Sequence, residues 1–243
     1  MKTNLTAILF SVAIIISSLL LGNAYMNRTK TEETISVTGL GEKDFISDLI
    51  VWDGSFTKEN MDLKQAYAGL EKDKEIIEDY LQNNGIDNKE IVFSAVQTIQ
   101  NRKQLYSSDG RYMGDEFAGY ILNQSIQISS KEVEKIETIS RKITELLNKG
   151  IQFYSEPPRY YYTKLADLKI ELISKATEDA RIRAEKISEK SGSKIKKLVS
   201  AQMGIFQITG QNSNEEFSWG GTFNTASKEK TASITMKLTY RIK

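Results

Sequence analysis

The amino-acid sequence predicts an α+β fold, with helices packed on one side of a largely antiparallel sheet. One observation is a long helical pattern from Thr163 to Gly192, in which apolar residues recur every three or four positions and so share one face. This stripe consists of Leu165, Leu168, Leu172, Ala176, Ala180, Ala184 and Ile187. Its alanines would let the helix lie close to a sheet. The other observation is the alternation of apolar residues from Thr231 to Lys243, which is typical of a half-buried strand.

The elements before the long helix follow from local patterns. Strands are predicted at 34–43, 46–57, 91–99, 117–128 and 151–162, and helices at 61–84 and 132–149. We expect Asn60 to cap the first of these helices, and Ser129 and Glu132 to form a capping box for the second. The polar residues 101–116 are predicted to form a long hairpin loop. Pro157 and Pro158 should interrupt the strand that contains them, because proline cannot donate a hydrogen bond to a neighbouring strand.

The last part of the chain contains the long helix and two further strands. Thr163 is expected to cap the helix, and Gly192 to end it in a left-handed turn. A strand is predicted at 194–203, a polar loop at 204–230 and the closing strand at 231–243.

The N-terminal residues predict an export segment. Lys2 is followed by an apolar run from Leu5 to Leu21, and the small residues Gly22 and Ala24 suit a signal peptidase. Because the run is short for a membrane-spanning helix and long for a cleavable signal, both alternatives stay open. We therefore expect a signal peptide or membrane anchor at 1–26, a linker at 27–33 and a domain at 34–243. The predicted location is extracytoplasmic, in the periplasm, either anchored to the inner membrane or released after cleavage.

The composition excludes several classes of function. The 243 residues contain no cysteine and no histidine, so thiol nucleophiles, disulfides, Ser-His-Asp triads and the usual zinc sites are excluded. The 33 basic side chains are balanced by 32 acidic ones, which gives no excess charge for binding nucleic acid. We predict no nucleic-acid partner, no metal and no cofactor.

Carboxylates are the first candidates for chemistry. Asp44, Asp48 and Asp53 lie close together in the sequence, and a pair of carboxylates is what glycoside hydrolysis requires. The preferred interpretation is that all three are structural or exposed to solvent. A calcium site at Asp109, Asp115 and Glu116 would lack the ligand spacing of known loops. No catalytic residue is therefore predicted.

Aromatic side chains in polar surroundings are the candidates for an interface. They form two groups, Phe153, Tyr154, Tyr160, Tyr161 and Tyr162 around the two prolines, and Phe206, Phe217, Trp219 and Phe223 in the polar loop. The residues predicted for the interface are Tyr160, Tyr161, Tyr162, Phe217, Trp219 and Phe223. Aromatic residues are enriched where subunits meet, so we predict contacts between copies of the chain, a homo-oligomer. The alternative is that these aromatic side chains pack against the sheet. A further alternative is a small-ligand pocket lined by residues such as Trp52 or Tyr162.

Several segments resemble the SIMPL-domain family of exported bacterial proteins. They are the opening strand ISVTGLGE from Ile35 to Glu42, DLIVW from Asp48 to Trp52, and the helix segment that begins ATEDAR at Ala176 and ends in Ser191-Gly192, followed by Lys194 to Leu198. The resemblance implies an extracytoplasmic α+β domain that associates with itself and is linked in some members to envelope or oxidative stress. It supplies no catalytic residues.

The predicted function is that of a non-enzymatic envelope protein that acts as an interaction or scaffold domain. The alternatives are an enzyme that uses carboxylates or lysine, and a small-ligand-binding protein.

Overall fold

The computed structural model describes residues 2–28, 33–216 and 218–243. The fold is α+β with antiparallel pairing, as the sequence predicts. The helices are α1 (Lys2–Arg28), α2 (Leu63–Asn83), α3 (Val133–Lys142) and α4 (Leu165–Lys190). The strands are β1 (Thr34–Ile46), β2 (Leu49–Asn60), β3 (Ile91–Phe93), β4 (Gln97–Tyr106), β5 (Tyr112–Ser130), β6 (Phe153–Ser155), β7 (Arg159–Tyr161), β8 (Ile195–Met203), β9 (Gln207–Gly210) and β10 (Glu229–Ile242).

The strands form two sheets, where the sequence patterns suggested one. The first has the order β1-β10-β8, with β9 also paired to β10. The second has the order β3-β5-β2-β6, with β4 paired to β5 and β7 paired to β2. Alternation of side chains identifies a strand but carries no information about which strand pairs with it, so the number of sheets could not be read from the pattern.

The chain divides into two compact units. The first comprises Met1–Leu40, Ala176–Gly204 and Met236–Lys243, and the second comprises Gly41–Lys175 and Ile205–Thr235.

In the first unit, the alanine face of α4 packs as predicted. Ala176, Ala180 and Ala184 are fully buried. A methyl group on Gly39 of β1 would lie 2.2 Å from the carbonyl oxygen of Ala176 and 2.3 Å from the amide nitrogen of Ala180, so the strand and helix backbones are in direct contact. The prediction that Ile187 lies on this face is wrong, since its side chain is half exposed. Ser188, four residues after Ala184, is buried in its place.

In the second unit, α2 and α3 pack on the sheet around a core centred on β2 and β5. Trp52 and Phe56 of β2 are fully buried, as are Ile126 and Ile128 of β5. From α2 the core receives Ala66, Leu70, Ile77 and Leu81, and from α3 it receives Val133, Ile136 and Ile139. Ser155 accepts a hydrogen bond from the Trp52 indole at 3.0 Å, so the buried ring has a partner for its N–H group.

Several predicted helix ends differ from the structure. The side chain of Asp62, not of Asn60, caps α2 by accepting a hydrogen bond from Gln65 N at 2.9 Å. The capping box at α3 is absent, since Ser130 Oγ accepts the Glu132 amide instead. Helix α3 stops at Lys142 and continues as a 3₁₀ helix, Ile143–Lys149.

The ends of α4 were predicted with mixed success. Thr163 is not the capping residue, because α4 begins two residues later, at Leu165; its amide and its hydroxyl both donate to the carboxylate of Asp48 at 2.7 Å. Gly192 does end the helix, with a φ of 75°.

The predicted hairpin loop at 101–116 is largely strand. Strands β4 and β5 pair through this region, with Lys103 opposite Glu116 and Gln104 opposite Asp115, and the turn between them comprises only residues 107–111. The side chains here are mostly exposed on both faces, so the alternation of apolar and polar residues that identifies a strand is missing. We call residues 97–117 the hairpin arm.

Helix α1 is long and apolar enough to cross a membrane. Residues Leu9–Met26 have a mean hydropathy of 1.9, and none of this span is buried by the rest of the described chain. Removing it would therefore take nothing from the core of either unit.

Candidate functional site

The three aspartates predicted to be structural have local partners in the second unit. Asp44 accepts hydrogen bonds from Thr231 Oγ1 at 2.6 Å and from Gln211 Nε2 at 3.0 Å. Asp48 is bound to Thr163, as described above. Asp53 accepts from Gln127 Nε2 at 2.8 Å and pairs with Arg159. Each carboxylate thus holds a strand, a loop or a helix start in place.

The acidic residues considered for calcium lie in the hairpin arm. Asp109 is 3.5 Å from Arg111, and a hydrogen bond to Asp115 raises the pKa of the Tyr112 hydroxyl. In the part of the chain that the structure describes, no group of three acidic side chains is placed to hold a metal ion.

The aromatic residues from the sequence analysis differ widely in exposure. Tyr160 is buried, and Tyr161 and Tyr162 are half-buried. Trp219 is 97% exposed and Phe223 is about half exposed. Phe217 lies outside the described residues. The tyrosine group thus packs into the protein, whereas Trp219 is freely accessible.

The tyrosines line a narrow cavity that leaves no room for a water molecule. Its walls are formed by Phe45, Tyr160, Tyr161, Tyr162, Leu165, Ile208, Phe223, Asn224 and Lys230. The rings of Phe45 and Tyr162 pack at an angle with their centres 4.8 Å apart. The cavity is too small for a ligand of drug size.

Lys230 is the unexpected member of this cluster. It is only 2% exposed, and its ammonium group donates to the backbone oxygen of Asn224 at 2.7 Å and to the side-chain oxygen of Asn224 at 3.4 Å. Burial lowers the pKa of Lys230 to about 8, against an opposing effect of Glu215. At pH 7 about a tenth of a lysine with this pKa is in the neutral form, and the neutral amine is the nucleophilic one.

The sequence contains a signal for this buried lysine. On β10 the buried apolar side chains occupy even-numbered positions, which are Ala232, Ile234, Met236, Leu238 and Tyr240. Lys230 is in phase with them. The predicted strand begins at Thr231, so Lys230 was assigned to the preceding loop, where a lysine is ordinarily exposed.

A polar network ties down the loop that follows β9. Gln207 accepts the Thr222 amide at 2.6 Å and donates to the Ser218 carbonyl at 2.8 Å, so it holds the backbone on both sides of Trp219. Glu215 accepts the Gly210 amide at 2.8 Å, and this bond, with those from Asn224 and Ser213, keeps the Glu215 pKa below its ordinary value. Trp219 is thus exposed to solvent on a loop whose backbone is fixed by hydrogen bonds.

The hairpin arm also carries exposed apolar side chains. Its exposed apolar side chains are Ile99, Leu105, Tyr106, Tyr112, Met113 and Phe117. Tyr106 and Tyr112 pack edge to face across the two strands, with ring centres 6.0 Å apart. Among the described strands β4 pairs only with β5, so its outer edge is unpaired. An unpaired edge and exposed aromatic residues are features of surfaces that bind other proteins.

Comparison with known proteins gives one family. The model of the SIMPL family, described as a protein of unknown function (DUF541), matches residues 35–240. No curated protein matches the chain.

Proposed function

Since the chain belongs to the SIMPL family, whose function is unknown, we propose that it is a non-enzymatic envelope protein that associates with copies of itself. The observation that carries the proposal is the hairpin arm, with its exposed apolar residues and unpaired edge. The proposal also places the protein outside the cytoplasm, which the apolar helix α1 supports.

The physical case for association rests on the stability of the arm. A two-stranded hairpin exposed on both faces is marginally stable in water, because few apolar side chains are removed from solvent. Tyr, Phe and Met are the residue types enriched in protein interfaces, and the arm contains Tyr106, Tyr112, Met113 and Phe117. Covering these side chains with those of a second copy would stabilise both arms. Trp219 offers an additional anchor of the type that dominates binding energy.

Light scattering coupled to size-exclusion chromatography tests the proposal, on the chain lacking residues 1–26 so that α1 cannot itself bring copies together. We expect a concentration-dependent oligomer. Met113→Gln should weaken it about tenfold, which is the loss of one moderate contact. The matched control is Ile170→Gln, since Ile170 and Met113 are both 68% exposed but Ile170 lies on α4. A strictly monomeric wild type, or equal effects of both variants, would contradict the proposal.

Cleavage of the N-terminal segment is a separate question. N-terminal sequencing of the native protein distinguishes a signal peptide from an anchor: a chain that begins after Ala24 was released, and one that retains α1 is anchored.

A further inference from the structure

A cleft of about 360 Å³ lies in the second unit, on one face of strands β1, β9 and β10. We call it the polar cleft, because every described residue of its wall except Gly210 has a polar side chain. Neighbouring residues of the same strands, Phe45, Ile208 and Lys230, line the cavity around the tyrosines. Since side chains alternate along a strand, the polar cleft lies on the opposite face of the sheet. The strands contribute Glu42, Asp44, Thr209, Thr231 and Ser233 to its wall.

The polar cleft carries negative charge. None of its described wall residues is a lysine or an arginine, whereas Glu42, Asp44 and Glu215 are carboxylates. Glu215 accepts the Gly210 amide and lies near the charge of Lys230. Glu42 and Asp44 have no ion pair within the part of the chain that the structure describes. The cleft therefore favours a cation or a neutral polar molecule over an anion.

Asp44 is held in one orientation and can still accept further hydrogen bonds. One of its oxygens accepts from Thr231 Oγ1 at 2.6 Å, and the other accepts from Gln211 Nε2 at 3.0 Å. An ionised carboxylate can accept about four hydrogen bonds, so about half of this capacity is left. Glu42 lies two positions earlier on the same face of β1, about 7 Å away along the strand. Its side chain is exposed, so it can turn toward a group that Asp44 binds.

The hydroxyl of Ser233 is an independent observation that points to a ligand. Ser233 is 5% exposed, and its side chain has no hydrogen-bond partner among the described residues. The hydroxyl nevertheless retains access to solvent, and Ser233 lies in the wall of the polar cleft. Because the rest of this residue is enclosed by protein, a partner can reach the hydroxyl only from the cleft.

We propose that the polar cleft binds a small polyhydroxylated amine, of the amino-sugar class. Its ammonium group would donate to the carboxylates of Asp44 and Glu42, and its hydroxyl groups would pair with the Ser233 hydroxyl and the Asn212 amide. A hydroxyl group both donates and accepts, as do the hydroxyl and amide side chains of the wall. An aliphatic amine would leave those side chains without partners.

A metal ion is the competing cation. Direct coordination requires several oxygen ligands to converge on one point. Among the residues that the structure describes, no group of three acidic side chains does so. An ammonium group needs one acceptor for each of its N–H bonds, and carboxylates, amides and hydroxyls all serve. The wall therefore suits an organic cation better than a bare metal ion.

The test is calorimetric titration of the full chain with glucosamine, in micelles of a polyoxyethylene detergent that contains no sugar. Glucose is titrated in parallel, because it has the same ring and lacks the ammonium group. At about pH 6 the amine of glucosamine is protonated, and we expect it to bind at least tenfold more tightly than glucose through charge-assisted hydrogen bonds. Equal binding of the two sugars would overturn the proposal.

Two variants assign the binding to the polar cleft. Glu42→Gln removes a charge and keeps the shape of the side chain, so it should weaken glucosamine binding about tenfold. Ser233→Ala should weaken it about fivefold, because a ligand hydroxyl loses its partner. The matched control is Glu59→Gln, which should bind like the wild type. Glu59 is also an exposed glutamate on a strand, but it lies on β2, outside the wall of the cleft.

Thermal unfolding separates a binding role of Ser233 from a structural one. Removal of a hydroxyl without a protein partner should leave the melting temperature of Ser233→Ala unchanged or raise it, and a lower melting temperature would overturn the proposal. The proposal also fails if glucosamine does not bind, if both variants bind like the wild type, or if magnesium chloride at equal concentration displaces glucosamine. None of the described wall residues belongs to the hairpin arm, so the result is independent of self-association.

Discussion

Replacing the buried Lys230 with methionine should change how stability depends on pH. Methionine has a similar length and no charge, so Lys230→Met removes the titrating group and keeps most of the packing. In the folded chain Lys230 loses its proton near pH 8, whereas in the unfolded chain a lysine does so near 10.5. Between these values the unfolded state binds more protons, so the contribution of Lys230 to stability rises with pH.

The magnitude follows from the two pKa values. One pKa unit corresponds to 1.36 kcal/mol. Between pH 7 and pH 10, the free energy of unfolding of the wild type should therefore rise by up to about 2.5 kcal/mol relative to that of the Lys230→Met variant. The Asn224 oxygens lose their donor in the variant, but that cost is the same at every pH and cancels from the slope. Effects of other titrating groups are common to both proteins and cancel as well.

The assay is urea unfolding of both proteins at several pH values from 6 to 10. Lys237→Met serves as control, because Lys237 is exposed on the same strand. A difference between wild type and Lys230→Met that does not vary with pH would refute the reasoning, since it would mean that the folded chain and the unfolded chain bind the Lys230 proton equally well.

Two further predictions concern the contacts that define the fold. Gly39→Ala should destabilise the protein by about 3 kcal/mol in urea unfolding, because the new methyl group would overlap the α4 backbone. Gly220→Ala is the control and should be nearly neutral, because no atom lies closer than 4.0 Å to the added methyl group. Asp62→Ala should lower the free energy of unfolding by about 1 kcal/mol, because the α2 cap is lost. Asp79→Ala, at an exposed position in the same helix, should lower it less. Equal losses in the two variants would show that Asp62 does not cap the helix.

Helix α4 was predicted well because its signal is local and repeated. The spacing of Ala176, Ala180 and Ala184 identifies the buried face without knowledge of any partner. The pattern could not supply the partner itself, which is Gly39, distant in sequence and brought close only by folding. Ile187 was misplaced for a different reason: its apolar side chain was preferred over Ser188, although position 188 continues the spacing of four and is the buried one.

The hairpin arm was missed because strand prediction depends on one face being buried. Polar residues such as Arg102, Lys103 and Gln104 occupy β4 without any apolar alternation, so they resembled a loop. The strand is held by backbone pairing with β5, which the side-chain pattern does not reveal. A surface that is open to solvent on both sides is thus the hardest kind to predict from sequence and the one on which the proposed self-association depends.

The buried polar groups of the second unit differ in kind. The ammonium group of Lys230 donates to Asn224, whose side-chain amide in turn donates to Glu215 in the loop that follows β9. The Ser47 hydroxyl has no partner among the described residues. A buried group that has its partners contributes to a defined loop conformation, whereas an unsatisfied hydroxyl only lowers stability. Lys230 is therefore expected to report on the fold through the pH dependence of stability.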